Sequence, residues 1–318
     1  MEPHVELRDV RKTFTVRERA GSVRRRRVEV HAVDGISLSV DRAELCGYIG
    51  PNGAGKSTTI KMLTGILVPT SGVIRVAGLD PSRARLQLTR RIGVVFGQRT
   101  QLWWDLPLRD SFDLLRHVYR VPAGRHRANV TELVELLGLG PLLATPVRQL
   151  SLGQRMRAEL TAALLHDPEI LYLDEPTIGL DVVSKAAVRQ FLLEVNRERG
   201  VTILLTTHDL ADMERLCSRV VIIDHGRVIS DGTVADIKSR FGDHRTLVVD
   251  LAEPTAPLVV DHAEVVRVEG PRQWLRFRPG DTTAAALIAE VAARAPLEDL
   301  AIEETGIDEV VRRIYTER

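Results

Sequence analysis

The stretch from Gly50 to Thr58 constrains this chain more than any other part of its sequence. It reads Gly-Pro-Asn-Gly-Ala-Gly-Lys-Ser-Thr and fits the pattern G-x-x-x-x-G-K-[ST]. Apolar residues before it predict a buried strand, and residues 57–63 predict a helix. Glycines between a strand and a helix let backbone N–H groups point at an anion beside the positive helix end. The spacing therefore predicts a phosphate-binding loop.

This interpretation gives two side chains distinct tasks. Lys56 is expected to reach the β- and γ-phosphates of a nucleotide, and the Ser57 hydroxyl is expected to hold Mg²⁺. The alternative is an ordinary glycine-rich turn, which the strand–loop–helix context disfavours. The predicted binding residues of the loop are Gly50, Pro51, Asn52, Gly53, Ala54, Gly55, Lys56, Ser57 and Thr58.

A second acidic motif follows a strongly apolar stretch. Residues 170–176 read Ile-Leu-Tyr-Leu-Asp-Glu-Pro. The apolar residues predict a buried strand that ends at Asp174, where its carboxylate can hold the Mg²⁺ shell. Glu175 is next and can orient or deprotonate an attacking water. A strand capped by a solvated acidic turn is the alternative, and the phosphate loop upstream argues against it.

Length and composition limit the remaining possibilities. The 318 residues suggest roughly two domains. Apolar runs stay short of the ~20 residues that span a bilayer, and the start of the chain has no signal-peptide pattern. Cys46 and Cys217 have neither metal-site nor redox spacing. A cytoplasmic location is expected, and the formal net charge of +1 argues neither for nor against nucleic acid.

The order of strand and helix patterns predicts an α/β fold. Strands and helices alternate up to about residue 100 and again from residue 170, with a helical stretch at about 100–165. Beyond residue 240, short strands and one helix indicate a small, separate, acidic α+β domain. The predicted domains are therefore 1–240, with the helical subdomain inside it, and 241–318.

An arginine-rich segment interrupts the N-terminal strands. Residues 17–27 contain six arginines and one glutamate. One interpretation is a solvated loop between two strands. The other is a basic surface for lipid headgroups or for an acidic partner.

Further motifs resemble those of the ATP-binding cassette (ABC) ATPases. Residues 150–154, Leu-Ser-Leu-Gly-Gln, resemble the LSGGQ signature, with Leu152 where glycine is usual. Gly179-Leu180-Asp181 resembles the family's D-loop. Gln98 matches the Q-loop glutamine, His208 the switch histidine of the H-loop, and Phe14 the aromatic residue that stacks on adenine. The motifs occur in the family's order over about residues 5–240, and several stretches look closest to the subgroup paired with separate exporter permeases.

This resemblance implies a P-loop NTPase (RecA-like) core and a nucleotide site shared between two subunits. One chain would supply the loop together with Gln98, Asp174, Glu175 and His208, and the other would supply Ser151, Gly153 and Gln154. Within this set Glu175, His208 and Gln98 are the predicted catalytic residues, and Ser57, Gln98 and Asp174 the predicted Mg²⁺ ligands. Leucine at position 152 is expected to weaken the clamp or alter dimer preference, because glycine there allows close backbone approach.

Taken singly, these residues have ordinary structural interpretations. Ser151 and Asp181 fit helix caps, Gln98 fits a polar strand end, and Phe14 fits a core position. His208 alone would more often be a cap or surface residue. Their position in an ordered set of motifs favours the functional interpretation.

The resemblance predicts the ATP-hydrolysing subunit of an exporter, bound to the inner face of the membrane through a multi-helix permease. It would form a homodimer or a heterodimer with a second ABC ATPase. The adjacent Trp103 and Trp104 are expected to line the groove where the permease docks, because two neighbouring tryptophans rarely fit one core. Two alternatives remain: a non-transport clamp on nucleic acid or ribosomes, which the single cassette and the lack of a long coiled-coil pattern disfavour, and an importer ATPase.

Overall fold

The computed structural model describes residues 2–20, 24–97, 100–207, 209–241, 244–304, 310–311 and 314–315. The chain divides into two compact units, Met1–Asp231 and Gly232–Arg318. This division falls nine residues before the boundary expected at residue 240. Each unit has its own hydrophobic core.

The N-terminal unit alternates strands and helices in the expected way. Its elements are, in chain order, β1 (Val5–Ala20), β2 (Arg24–Val40), β3 (Leu45–Ile49), α1 (Lys56–Leu63), β4 (Ser71–Val76), α2 (Arg85–Leu88), β5 (Ile92–Phe96), α3 (Leu108–Tyr119), α4 (Ala123–Leu136), α5 (Leu152–Leu164), β6 (Ile170–Asp174), α6 (Val182–Arg199), β7 (Thr202–Thr206), α7 (Leu210–Leu216), β8 (Arg219–Asp224) and β9 (Arg227–Thr233).

The central sheet places the ends of the motif-bearing strands side by side. Its strand order is β5-β6-β7-β3-β8-β9. The pairs β5–β6, β6–β7, β7–β3 and β3–β8 are parallel. β3 and β6 are fully or almost fully apolar and buried, as expected for parallel strands covered on both faces. Because parallel strands end at the same edge, the loops after β3, β5, β6 and β7 meet there.

A second, antiparallel sheet carries a long hairpin. β1 pairs with β2 from Val5↔Val40 to Ala20↔Arg24, whereas it pairs with β4 only as far as Arg11↔Ser71. The interpretation of residues 17–27 as a loop is therefore wrong for the parts described, because both strands continue into this segment. Threonine, valine and phenylalanine at Thr13–Val16 and at Val28 and Val30 favour extended backbone, and this explains why the strands run on.

One core joins the two sheets of the N-terminal unit. It contains side chains from β1, β2 and β4, from the central strands, and from α1, which supplies Ile60, Met62 and Leu63. Packing on both sides fixes α1 directly after the loop that the sequence singled out. The geometry of that loop is thus tied to the core.

Most of residues 108–164 are helical, close to the helical stretch expected at 100–165. Elsewhere the helix prediction was less accurate. The alternation predicted up to about residue 100 requires a helix before β5, but α2 is only four residues long. Asp80 accepts hydrogen bonds from the Ser82 amide at 2.9 Å and the Ser82 hydroxyl at 2.6 Å and makes a turn before the helix can start. The sequence analysis also missed α7, which Asp209 caps.

The C-terminal unit has the expected α+β composition. Its elements are α8 (Val234–Phe241), β10 (Arg245–Leu251), β11 (Ala263–Glu269), β12 (Arg272–Phe277), α9 (Ala284–Arg294) and β13 (Leu297–Glu304). The strands form an antiparallel sheet in the order β11-β12-β10-β13. Leu287 and Val291 of α9 pack in the same core as Leu247 and Leu275 of the sheet. The sequence analysis missed β13, which closes the sheet beside β10.

Candidate functional site

The predicted phosphate loop joins β3 to α1 at the shared strand edge. Gly55 has φ of +106°, and a Cβ there would lie 2.4 Å from the Ala32 carbonyl oxygen. A Cβ on Gly50 would lie 2.5 Å from the Ile223 carbonyl oxygen. Glycine is required at both positions, because backbone approaches too closely for any side chain. The loop ends at Lys56, the first residue of α1, so the helix N-terminus adds its positive potential.

Lys56 is buried inside this loop. Its ammonium group donates to the carbonyl oxygens of Gly50 at 2.6 Å and of Pro51 at 3.1 Å. Burial lowers the pKa of the Lys56 ammonium, and the nearby charges of Glu175 and Asp174 act in the opposite direction. The lysine therefore lies close to both acidic residues predicted from the second motif.

Asp174 joins the phosphate loop to the central sheet. It is the last residue of β6, and its two carboxylate oxygens accept one hydrogen bond each. Ser57 donates to Oδ2 at 3.0 Å, and Thr206 donates to Oδ1 at 2.6 Å. Residues 117 positions apart in the sequence are thus in direct contact. Lys56, Ser57, Asp174 and Glu175 are brought together as predicted.

Thr206 is a part of this arrangement that sequence reasoning missed. It ends β7, opposite Asp174 in the parallel register. The signal available in the sequence was the hydroxyl-bearing residue at the last position of β7, the strand beside β6. Its hydrogen bond orients the Asp174 carboxylate toward the loop.

Glu175 has an unusual backbone conformation. Its φ is +58°, in the left-handed region that non-glycine residues seldom adopt. Its amide donates to the Thr206 carbonyl oxygen at 3.0 Å. On the other side, a Cβ on Gly97 would lie 2.8 Å from the Glu175 carbonyl oxygen. Close contacts on both sides hold the turn, and such strain is common at functional sites.

Two predicted catalytic residues, Gln98 and His208, lie outside the described residues. The strands before them are described. Gln98 follows β5, whose Phe96 pairs with Asp174, and His208 follows β7, whose Thr206 pairs with Asp174. Both segments therefore leave the sheet beside the same carboxylate. The roles of Gln98 and His208 stay predictions.

The signature-like residues form a second group at the start of α5. Ser151 caps the helix and accepts a hydrogen bond from the Gln154 amide at 3.2 Å. The Gln154 side chain accepts in turn from the Ser151 amide at 2.9 Å, which completes a capping box. Ser151 is exposed and Gly153 is buried. Ser151 therefore caps α5, as its residue type alone suggested. The exposed N-terminus of this helix remains available to an anion.

Asp181 belongs to this second group. It caps α6 and accepts hydrogen bonds from the Ser184 amide at 2.9 Å and the Ser184 hydroxyl at 2.7 Å. A Cβ on Gly153 would lie 2.6 Å from the same Ser184 hydroxyl oxygen. The N-termini of α5 and α6 are therefore in contact.

Phe14 lies on the hairpin, partly buried, with the Lys12 ammonium 5.2 Å from its ring centroid. It pairs with Val30 across the hairpin. An aromatic face in this setting can stack on a base.

The oxygen donors around Asp174 suit a hard cation. The carboxylate of Asp174 and the hydroxyl of Ser57 are adjacent, and Mg²⁺ characteristically binds one or two carboxylates together with substrate phosphates. Within the part of the chain that the structure describes, no cluster of three or more His, Cys, Asp or Glu side chains could hold a metal. A magnesium ion here would thus need phosphate oxygens as well as the protein.

Comparison with known proteins identifies this arrangement. The family described as "ABC transporter" matches residues 33–178. The daunorubicin resistance ATP-binding protein DrrA3 of Streptomyces coeruleorubidus is 35% identical over 284 residues, which cover 88% of this chain and 89% of the relative. The chain belongs to the ABC transporter family. The resemblance inferred from the motifs is confirmed, and ATP is the nucleotide that this ABC transporter ATPase binds and hydrolyses.

Other relatives of this ABC ATPase include importer proteins. The methionine import ATP-binding protein MetN of Geobacillus kaustophilus is 36% identical over 212 residues, or 65% of this chain and 62% of the relative. Among solved structures, a dimeric ATP-binding cassette bound to ADP and Pi superposes with a TM-score of 0.62 at 26% identity. The superposition covers 72% of this chain and 98% of the chain in that structure. The predicted α/β P-loop fold is therefore confirmed.

The structure also bears on the membrane question. Among the described helices, none is both long and apolar enough to cross a bilayer.

Proposed function

We propose that this ABC ATPase powers export through a separate transmembrane permease, by closing and reopening a dimer around ATP. The observation that supports this most is the contact of Ser57 and Thr206 with the Asp174 carboxylate beside Lys56. This joins the phosphate loop to the acidic strand end. Such a pair of elements positions a triphosphate for attack by water.

Each residue of the first group would have a definite role. Lys56 would exchange its two carbonyl acceptors for the β- and γ-phosphate oxygens. Ser57 and Asp174, with Gln98 as a further predicted ligand, would hold Mg²⁺, which when bound neutralises charge on the transferred phosphoryl group. Glu175 would orient the attacking water and accept its proton, and His208 would contact the γ-phosphate. Phe14 would stack on the adenine.

The second group would act on the nucleotide of a partner subunit. Ser151, Gly153 and Gln154 lie at the exposed N-terminus of α5, where a hydroxyl and helix amides can face an anion. In one chain Asn52, Gly53 and Ser57 of the phosphate loop are exposed, so the partner's helix end could close over a nucleotide bound there. Asp181 would lie near this seam. Identical and non-identical partner ATPases both fit this arrangement.

Export is favoured over import by the extent of one similarity. The drug-resistance relative aligns over 284 residues, so the alignment must include part of the chain beyond residue 240. Three importer relatives align over 212 to 256 residues, which is 65% to 79% of this chain, against 88% for the drug-resistance relative. The C-terminal accessory domain, which we propose at 241–318, would support dimerisation or regulation. A location on the inner face of the membrane follows from the proposed permease.

Trp103 and Trp104 mark the proposed permease-docking surface. These residues are 40% and 47% exposed, respectively. The Arg155 guanidinium lies 5.5 Å from the Trp104 ring centroid, and Arg148 pairs with Asp105 at 2.6 Å. Large exposed aromatic rings with nearby arginines are typical of interface anchors. Trp103→Ala with Trp104→Ala should abolish transport by the reconstituted pair and spare ATP hydrolysis by the isolated chain.

The decisive experiment uses Glu175→Gln. This variant should bind ATP and elute as a dimer in size-exclusion chromatography with ATP and Mg²⁺, because binding is kept while the attacking water loses its base. It should elute as a monomer with ADP. A variant that binds ATP and stays monomeric would contradict the proposed dimer. Transport of a dye into or out of inverted vesicles that contain this ATPase together with its permease then separates export from import. Salt-sensitive binding to RNA would instead support the nucleic-acid clamp.

A further inference from the structure

Leu152, the residue that departs from the usual signature, packs against the D-loop-like segment of its own chain. A Cβ built on Gly179 would lie 2.9 Å from Leu152 Cδ2. The leucine side chain therefore covers Gly179, and a larger residue there would force the leucine to move. Even so, Leu152 remains 37% exposed, so it is not simply a core residue.

The next residue makes a contact of the opposite kind. A Cβ on Gly153 would lie 2.6 Å from Ser184 Oγ and 3.1 Å from Ser184 Cβ. Ser184 is in turn bonded to Asp181 through its amide and its hydroxyl. At one end of segment 179–184, Leu152 covers Gly179. At the other end, Gly153 leaves room for Ser184. The consecutive residues Leu152 and Gly153 hold both ends of the segment.

This segment leads from Glu175 toward the proposed seam. The Ile178 amide donates to the Glu175 carbonyl oxygen at 3.3 Å, and Leu180 is buried. The segment then delivers Asp181 to the cap of α6. Val182 and Val183 follow, 80% and 78% exposed. The position of segment 179–184 therefore determines where these two exposed aliphatic side chains lie. The segment begins only four residues after Glu175.

Glycine at position 152 would remove this constraint. The space above Gly179 would open, and Gly179, which has φ of +70° and no side chain of its own, would be free to move into it. A segment that must be ordered on binding reduces affinity, whereas one already ordered does not.

We propose that Leu152 is a positioning residue: by filling the space over Gly179 it fixes segment 179–184 against α5, so that each chain presents the signature helix and this segment to a second ATPase subunit as one preformed surface. The inference rests on the proposed ATP-driven dimer. It reverses the expectation that leucine at position 152 weakens the clamp.

The first test compares Leu152→Gly, Leu152→Ala and Leu152→Met on a Glu175→Gln background. Sedimentation equilibrium with ATP should show dimer dissociation constants raised about tenfold for glycine and within about twofold of the parent for methionine, which restores the volume over Gly179. Affinity of the dilute, monomeric chain for a fluorescent ATP analogue should stay within about twofold, since Leu152 lies outside the phosphate loop. An unchanged or tighter Leu152→Gly dimer overturns the proposal.

The second test is a size exchange between the two positions. Gly179→Ala should weaken the dimer strongly when Leu152 is present, because the new Cβ would collide with the leucine, and much less in the Leu152→Ala background. The cost of a positive φ is the same in both backgrounds, so a double-mutant cycle removes it. Equal effects of Gly179→Ala in the two backgrounds contradict the matched pair.

A third measurement does not depend on dimer formation. Hydrogen–deuterium exchange of the monomer should be faster at amides 179–184 in Leu152→Gly than in the parent, and near parental in Leu152→Met. Unchanged exchange in a variant with parental thermal stability would overturn the positioning role. If the Glu175→Gln parent binds ATP without dimerising, the proposed function fails, whereas parental dimerisation with unaffected Leu152 variants refutes only this inference.

Discussion

The two groups of predicted site residues differ in where their partners lie. Around Asp174, the functional side chains are bonded to one another within the chain: Ser57 and Thr206 to the carboxylate, and Lys56 to its own loop. At Ser151, the hydrogen bonds complete only the local helix cap, and the serine itself is exposed. Each group is one half of the proposed nucleotide site, and we call it a half-site. Folding of the chain assembles the first half-site around Asp174, whereas the second half-site is the exposed N-terminus of α5. This difference is what a nucleotide site shared by two subunits requires.

Replacing Lys56 should break the first half-site with the largest effect. Lys56→Ala removes the charge aimed at the phosphates, so ATP affinity should fall at least about a hundredfold. Lys61→Ala, five residues further along α1, is the matched control and should keep parental affinity. Isothermal titration with ATP and Mg²⁺ measures both. Nearly parental binding by Lys56→Ala would show that the loop does not hold the phosphates.

Removing the Ser151 hydroxyl should distinguish the function of the second half-site from that of the first. Ser151→Ala should leave ATP binding by the dilute chain unchanged and weaken the ATP-driven dimer about tenfold, because its hydroxyl is offered to a second subunit. Loss of a helix cap should also cost about 1 kcal/mol of stability.

The C-terminal unit offers a control with the same local geometry. Thr283 caps α9 by accepting from the Ala286 amide at 3.2 Å, the distance found from Ser151 to the Gln154 amide. Thr283→Ala should cost similar stability in urea unfolding and, because the accessory domain stays folded, weaken the ATP-dependent dimer much less than Ser151→Ala does. If both variants weakened the dimer equally, lost stability rather than a lost contact would be the cause.

The smallest effect is expected at the opposite end of β6 from Asp174. Glu169, just before β6, is bound by Arg91, whose hydrogen bonds lower the pKa of this carboxyl to about 2. Its contribution to stability is therefore present above its ordinary pKa of 4.5 and is lost as the pH falls toward 2.

Glu169→Gln should accordingly destabilise the protein by about 1 kcal/mol at pH 7, a value reduced for the partial exposure of the carboxylate. The difference from the parent should shrink as the pH drops below 4.5. Urea unfolding at several pH values measures this, with the exposed Glu198→Gln as control. Reduced ATP affinity at pH 7 would show that the two ends of β6 are coupled, which the comparison of half-sites does not anticipate.

The site residues that could be predicted are those whose signal lies within a few neighbouring residues of the sequence. The phosphate loop and the apolar run before Asp174 depend on neighbouring residues, so the sequence was sufficient to place them. Thr206 was missed because its importance comes from the parallel register with Asp174, which joins distant segments. The extended hairpin was also missed, since charge at residues 17–27 suggested a loop, whereas pairing of the two strands continues through the described parts of this segment.

By itself, the sequence determined the α/β core, the family and the order of its motifs, because strand periodicity, glycine requirements and the acidic strand end are encoded over a few residues. The tertiary structure alone decided the direction in which each group faces. It showed that Asp174 is held by Ser57 and Thr206, and that Leu152 covers Gly179. These contacts join residues remote in sequence, and only the packing of α5, α6 and the central sheet brings their atoms within reach.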